Sequence, residues 1–181
     1  MTEAARIQEL WDREMIRDCL YRYCRGIDRA DETLLRAVYW PEAVDNHGVY
    51  QGSASGFVDW AMKMLPTIER CVHQIHNILI DFKGNGAAVE SYFTALQRQP
   101  GEDERLVEYR LAGRYLDWFE RRDDEWRVAR RTVVFDWVDE TPAPAIMDAA
   151  RFGRRRPMGC RWPQDPLYAL LAKGVAASDV G

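Results

Sequence analysis

Three histidines, His47, His73 and His76, and one oddly placed acid, Asp28, are the residues of this chain best suited to chemistry. Histidine changes charge near neutral pH, so it is the usual general acid or base, and a carboxylate beside it fixes its tautomer and stabilises its charged form. Asp28 follows Ile27 at the end of an apolar helical stripe. It reads either as a helix-end aspartate bonded to backbone or as the orienting acid of such a pair. His73 is its natural partner because it opens a central strand, although their separation in sequence says nothing about distance. His73 and His76 are three apart on one predicted strand, which puts them on opposite faces. They therefore do not share a metal, and no HExxH or clustered Cys/His spacing occurs, so no metal site is predicted. His47, in Asn46-His47-Gly48, reads as an exposed turn residue.

Two further residue types matter. Tyr23 lies five residues before Asp28, towards the same helix end, where it either packs or donates a hydrogen bond to a substrate oxygen. Arg130 and Arg131 sit among apolar strand residues. An arginine buried there without a partner is costly, so one of them must face a carboxylate, a pocket or a subunit interface.

The elements that position these groups follow from apolar periodicity. Ile7, Leu10, Trp11, Ile16, Leu20, Tyr23, Cys24 and Ile27 recur at three- and four-residue steps, which predicts an amphipathic helix from Thr2 to Ile27. A short helix follows from Glu32 to Val38, stopped by Pro41, then a short strand from Asp45 to Gln51. Ser53 to Arg70 reads as a third helix, with a kink or break at Pro66. Four long strands come next, Val72–Phe82, Ala87–Gln99, Leu106–Arg121 and Trp126–Val138, the first pair joined by the Asn85-Gly86 turn. Helices first and meander strands afterwards mean an α+β fold. Both faces of the strands carry bulky residues, which predicts an oligomer. A short helix is predicted at Pro166–Ala172.

With 181 residues the chain suits one domain. Its 25 basic and 29 acidic residues give a net charge of −4, which argues against nucleic acid. The basic cluster Arg151, Arg154, Arg155 and Arg156 reads as a solvated or subunit-contacting tail. No apolar run approaches the ~20 residues of a membrane span. Four cysteines without a CxxC pair and a polar, helical N-terminus read as reduced thiols in a cytoplasmic protein.

The order of several motifs resembles the SnoaL-like family of the nuclear-transport-factor-2-like (scytalone dehydratase-like) superfamily. They are Tyr21 to Asp31, Trp40 to Asp45 followed by Tyr50-Gln51-Gly52, His73 to Ile80 with the hairpin after it, and Gly113-Arg114-Tyr115 with Trp126 to Arg131. The resemblance covers roughly residues 7 to 138, with Asp165 to Tyr168 also similar. It implies a cone-shaped barrel over residues 1–140, in which three helices cover a strongly curved, mainly antiparallel sheet and enclose a pocket. Residues 141–181 are then an extension packing on the domain or a neighbouring subunit. Catalytic members are cofactor-free lyases, often trimers, that use an Asp–His pair. By motif position Asp28 and His73 match that pair, Tyr23 a polar assistant, and Arg131 the strand arginine, with Arg130 the alternative.

The reading that results is a dehydratase-type lyase or an isomerase. His73 takes a proton from carbon in a small polyketide-, steroid-, terpenoid- or aromatic-like molecule. Trp40, Tyr50, Phe57, Trp60, Met64, Phe93 and Phe135 are candidate walls. A homotrimer is favoured and a dimer allowed. The rival is a non-catalytic ligand-binding or structural subunit of the same fold, like the small subunit of ring-hydroxylating dioxygenases.

Overall fold

The structure is a computed structural model that describes residues 2–143 and 157–173. The basic cluster at 151–156 lies outside the described residues. The long first helix, α1 (Glu3–Arg29), starts where Thr2 accepts a hydrogen bond from the Ala5 amide at 3.2 Å. Such an N-cap satisfies an otherwise orphaned donor. The helix ends at Ala30, which takes a left-handed conformation (φ 51°) and caps the Gly26 and Ile27 carbonyls. Of the predicted apolar stripe, the part from Ile16 to Ile27 is buried, whereas Ile7, Leu10 and Trp11 are more than half exposed. The short α2 (Glu32–Ala37) crosses close to α1, because Gly26 has no side chain: a Cβ there would stand 3.0 Å from that of Leu35.

Two predictions around residues 39 to 53 need correction. Pro41 does not stop α2, which ends four residues earlier; it lies in β1 (Tyr39–Asn46). Proline is tolerated there because the ladder to the neighbouring strand is interrupted between Tyr39 and Val44. The segment Asp45 to Gln51 is not one strand but a hairpin, in which β1 turns into β2 (Gln51–Ser53). Helix α3 (Ala54–Met64) then gives way to a short 3-10 turn over Leu65–Thr67, the break predicted from Pro66.

The four long strands are β3 (Arg70–Lys83), β4 (Gly86–Pro100), β5 (Leu106–Arg122) and β6 (Glu125–Pro142). The sheet is six-stranded and open, in the order β2-β1-β6-β5-β4-β3. All neighbours are antiparallel except β1 and β6, which run parallel. The fold is thus α+β as expected, with edge strands at β2 and β3 rather than a closed barrel.

Irregularities in the ladders decide which residues face the helices. A bulge between Ile75 and Ile78 in β3 adds one residue. Cys71, His73 and Ile75 face inward before it, and Ile78, Ile80 and Phe82 after it. A second bulge, in β6 between Val128 and Arg130, makes Trp126 and Val128 inward-facing and then Arg131 and Val133. The outer face keeps exposed apolar side chains, among them Val72, Tyr92, Leu96, Leu116 and Trp137. The last element, α4 (Pro166–Lys173), belongs to a segment bonded across the end of α1. The Trp162 amide donates to the Arg29 carbonyl at 2.7 Å, and the Tyr168 hydroxyl to Asp31 at 2.9 Å. No described helix is long and apolar enough to cross a membrane.

Candidate active site

Between α1, α3 and the inner face of the sheet lies a cavity of about 250 Å³. Tyr23 and Ile27 reach it from α1, Phe57, Trp60 and Met64 from α3, and His73, Phe93, Tyr115 and Phe135 from the sheet. Helix α1 ends beside β3, so its last turn delivers Asp28 to His73. Asp28 Oδ1 is 2.7 Å from His73 Nδ1, and both Asp28 oxygens accept from the His73 backbone amide, at 3.1 and 2.9 Å. Both readings of Asp28 are therefore realised at once: it bonds backbone and it orients an imidazole. With Nδ1 engaged, Nε2 is the ring nitrogen left without a partner among the described residues.

Burial works against charging the His73 ring, but the hydrogen bonds the ring makes to Asp28 and Cys71 outweigh it and push its pKa up to about 10. Cys71, two residues away on the same face, has its sulfur 3.5 Å from Nδ1. Asp28, Cys71 and His73 thus place three potential ligand atoms within 4.8 Å of one another. The Asp28–His73 distance of 2.7 Å is that of a direct hydrogen bond. Two ligands on one tetrahedral zinc, each roughly 2.0–2.1 Å from it, would stand about 3.3 Å apart.

His47 is not exposed. Its side chain is 15% accessible, lines the cavity and stacks on Phe57 with ring centroids 4.1 Å apart. Nδ1 bonds the fully buried carboxylate of Asp45, and Nε2 is 3.0 Å from the Tyr23 hydroxyl. Asp45 accepts a further bond from Tyr39 at 2.8 Å. Burial lowers the pKa of His47 despite its bond to Asp45. The signal for this pair was present in the sequence, since an Asp and a His two apart on an extended segment share a face.

His76 is exposed on the outer face, bonded to Thr94 at 2.9 Å, as the spacing from His73 requires. Arg131, not Arg130, turns inward, yet it does not line the cavity. It makes two bonds to Asp117, at 2.8 and 2.7 Å, and its guanidinium lies between the Tyr23 and Tyr115 rings, 4.0 and 4.2 Å from their centroids. Its influence on the cavity passes through Tyr23.

Two other candidates fall outside the cavity wall. Trp40 follows the inward-facing Tyr39 on β1 and so points the other way. Its indole donates to the Glu120 carbonyl at 3.1 Å and lies under Arg122 and Arg127. Tyr50 packs behind Phe57 and Trp60 and bonds the Ser53 carbonyl at 2.9 Å. Tyr115, absent from the predicted walls, is part of them and stacks on Phe93 with centroids 4.4 Å apart.

Helices closing one side of an open sheet over a largely apolar cavity, with a histidine–aspartate pair at its edge, define the cone-shaped class of nuclear-transport-factor-2-like proteins. Within that class the chain belongs to the SnoaL-like domain family, whose model matches residues 8–132. A curated relative, γ-hexachlorocyclohexane dehydrochlorinase of Sphingobium indicum, is 25% identical over 154 residues, which is 81% of this chain and 87% of the relative. The crystal structure of LinA superposes with a TM-score of 0.67 at 22% identity, covering 79% of this chain and 97% of that one. A candidate scytalone dehydratase from Novosphingobium aromaticivorans gives 0.65 at 19% identity, over 75% and 91% of the two chains. The β subunit of a candidate aromatic-ring-hydroxylating dioxygenase from the same organism gives 0.57 at 18%, over 75% and 93%.

Proposed function

We propose that this chain is a cofactor-free lyase or isomerase that acts on a small, largely apolar molecule by moving a proton from carbon. The contact between Asp28 and His73 at the wall of the cavity carries this reading. In its base form His73 presents Nε2 to a carbon acidified by a neighbouring carbonyl and takes its proton; Asp28 holds the ring and stabilises the imidazolium. Tyr23 serves the substrate oxygen. Aromatic walls from α3 and the sheet favour a polyketide-, steroid- or aromatic-like skeleton. The dehydrochlorinase relative removes the elements of an acid from its substrate, as its name states, which is the same class of reaction. The bulky outer sheet face favours a homo-oligomer, and the family resemblance favours a trimer first. A purely structural subunit is compatible with the fold, as the dioxygenase likeness illustrates, but gives no reason for a carboxylate to orient a cavity histidine.

The test is deuterium exchange from solvent into the carbon acid of an apolar ketone such as β-tetralone. The wild type accelerates exchange, and His73→Gln and Asp28→Asn each lower the rate by about 10²-fold or more. Equal rates in wild type and His73→Gln would remove the base from this site.

A further inference from the structure

We propose that His47, held by Asp45, is a positioning residue that supplies Tyr23 with the proton Tyr23 gives to a departing substrate oxygen, so that the substrate is a β-hydroxy carbonyl compound rather than a halide. The inference rests on the elimination reading above and deepens it. Three observations carry it. Tyr23 and His47 both line the cavity that His73 lines. Their polar atoms form an unbroken chain, from Asp45 to His47 Nδ1, across the ring, and from Nε2 to the Tyr23 hydroxyl at 3.0 Å. The Arg131 guanidinium, 4.0 Å from the Tyr23 ring centroid, stabilises negative charge that develops on the phenol.

A halide leaves unaided by a proton, whereas hydroxide is a poor leaving group and departs as water. The chain of groups supplies that proton in a balanced way. In the state ready for elimination, His73 is unprotonated and His47 carries both ring protons, with Nδ1–H donated to Asp45 and Nε2–H to the Tyr23 oxygen. The Tyr23 hydroxyl proton then points to the cavity. The α-proton goes to His73 and its bonding pair becomes the new carbon–carbon double bond. The carbon–oxygen pair leaves with the oxygen, which takes the Tyr23 proton and departs as water. Tyr23 takes the Nε2 proton of His47. The protein has then moved one proton from His47 to His73, and exchange with solvent resets it. Because His73 holds a proton more tightly than His47, this ready state is the minor one of the pair, and within it the first is a strong base and the second a strong acid.

Two probes separate the steps: the aldol of benzaldehyde with acetone, which loses water, and the β-(para-nitrophenoxy) derivative of butanone, which loses a stable phenolate. The expected result is that His47→Phe and Asp45→Asn shift the ratio of kcat/KM for the two probes by about 100-fold against the alcohol, through kcat rather than KM. Nitrogen NMR adds a readout without substrate: Tyr23→Phe moves the His47 Nε2 resonance and leaves that of His73 in place. An unchanged probe ratio, or a His47 resonance indifferent to Tyr23→Phe, overturns the inference and leaves the elimination reading standing. A wild type inert towards both probes overturns both.

Discussion

Arg131 and Asp117 form a two-armed ion pair from which water is wholly excluded, both side chains having no accessible surface. Such a pair gains little against apolar replacements, but removing one partner strands a buried charge. Asp117→Asn is therefore expected to cost about 3–5 kcal/mol in urea unfolding. Replacing both residues, Arg131→Met with Asp117→Leu, is expected to recover most of the loss. A single variant as stable as wild type would show that the guanidinium finds another partner.

The His73–Asp28 pair sets a pH window. The folded pKa of His73, about 10, lies above its ordinary value of about 6.5. The pair's stabilisation is thus complete below pH ~6.5 and is lost as pH rises through about 10. Imidazole NMR should find His73 holding its proton to a higher pH in wild type than in Asp28→Asn. Coincident titration curves would mean that the two side chains do not interact in solution.

His47 works in the opposite sense. Its folded pKa is lowered, chiefly by burial, so its contribution is present above its ordinary pKa and drains away as pH falls below that value towards the lowered one. His47→Phe should therefore flatten the acid side of the stability profile while leaving the alkaline side, which belongs to His73, in place. Unfolding midpoints across pH 4 to 8, on the order of one per half unit, suffice to see it.

Gly113, where β5 and β6 shift register, has no room for a side chain: a Cβ would lie 2.1 Å from the Val134 carbonyl oxygen and 3.1 Å from the Phe93 ring. Gly113→Ala must push the strands apart at the cavity wall. It is expected to cost about 3 kcal/mol and to loosen Phe93. Gly84→Ala, at an open turn with positive φ, should cost only about 1 kcal/mol. Thermal melts of the two variants side by side test the contrast.

The elements were legible in the sequence because their signals are local. The stripe of α1, the break at Pro66 and the four long strands need only periodicity and turn chemistry. The Asp28–His73 contact was legible as a chemical possibility and through family resemblance, not through spacing. What escaped was phase. Strict alternation fails wherever a bulge adds a residue, so faces counted along β6 from Trp126 do not carry through residue 129. His47 was misread for a related reason. Asn46-His47-Gly48 does form a turn, but the turn folds back over α3, and the stacking on Phe57 that buries the ring joins residues from separate elements.

The bulge at Ile75–Ile78 has a consequence for how this protein tolerates insertion and loss of residues. The half of β3 beyond it is anchored by Ile80 and Phe82, and the half before it carries His73. Deleting one residue at 76 or 77 would remove the extra residue and restore simple alternation, and with the anchored half unmoved, His73 would stay on the inner face, still opposite Ala95. The bulge thus holds one residue to spare, which makes it the point of β3 where the chain can shorten by one without turning the histidine out of the cavity.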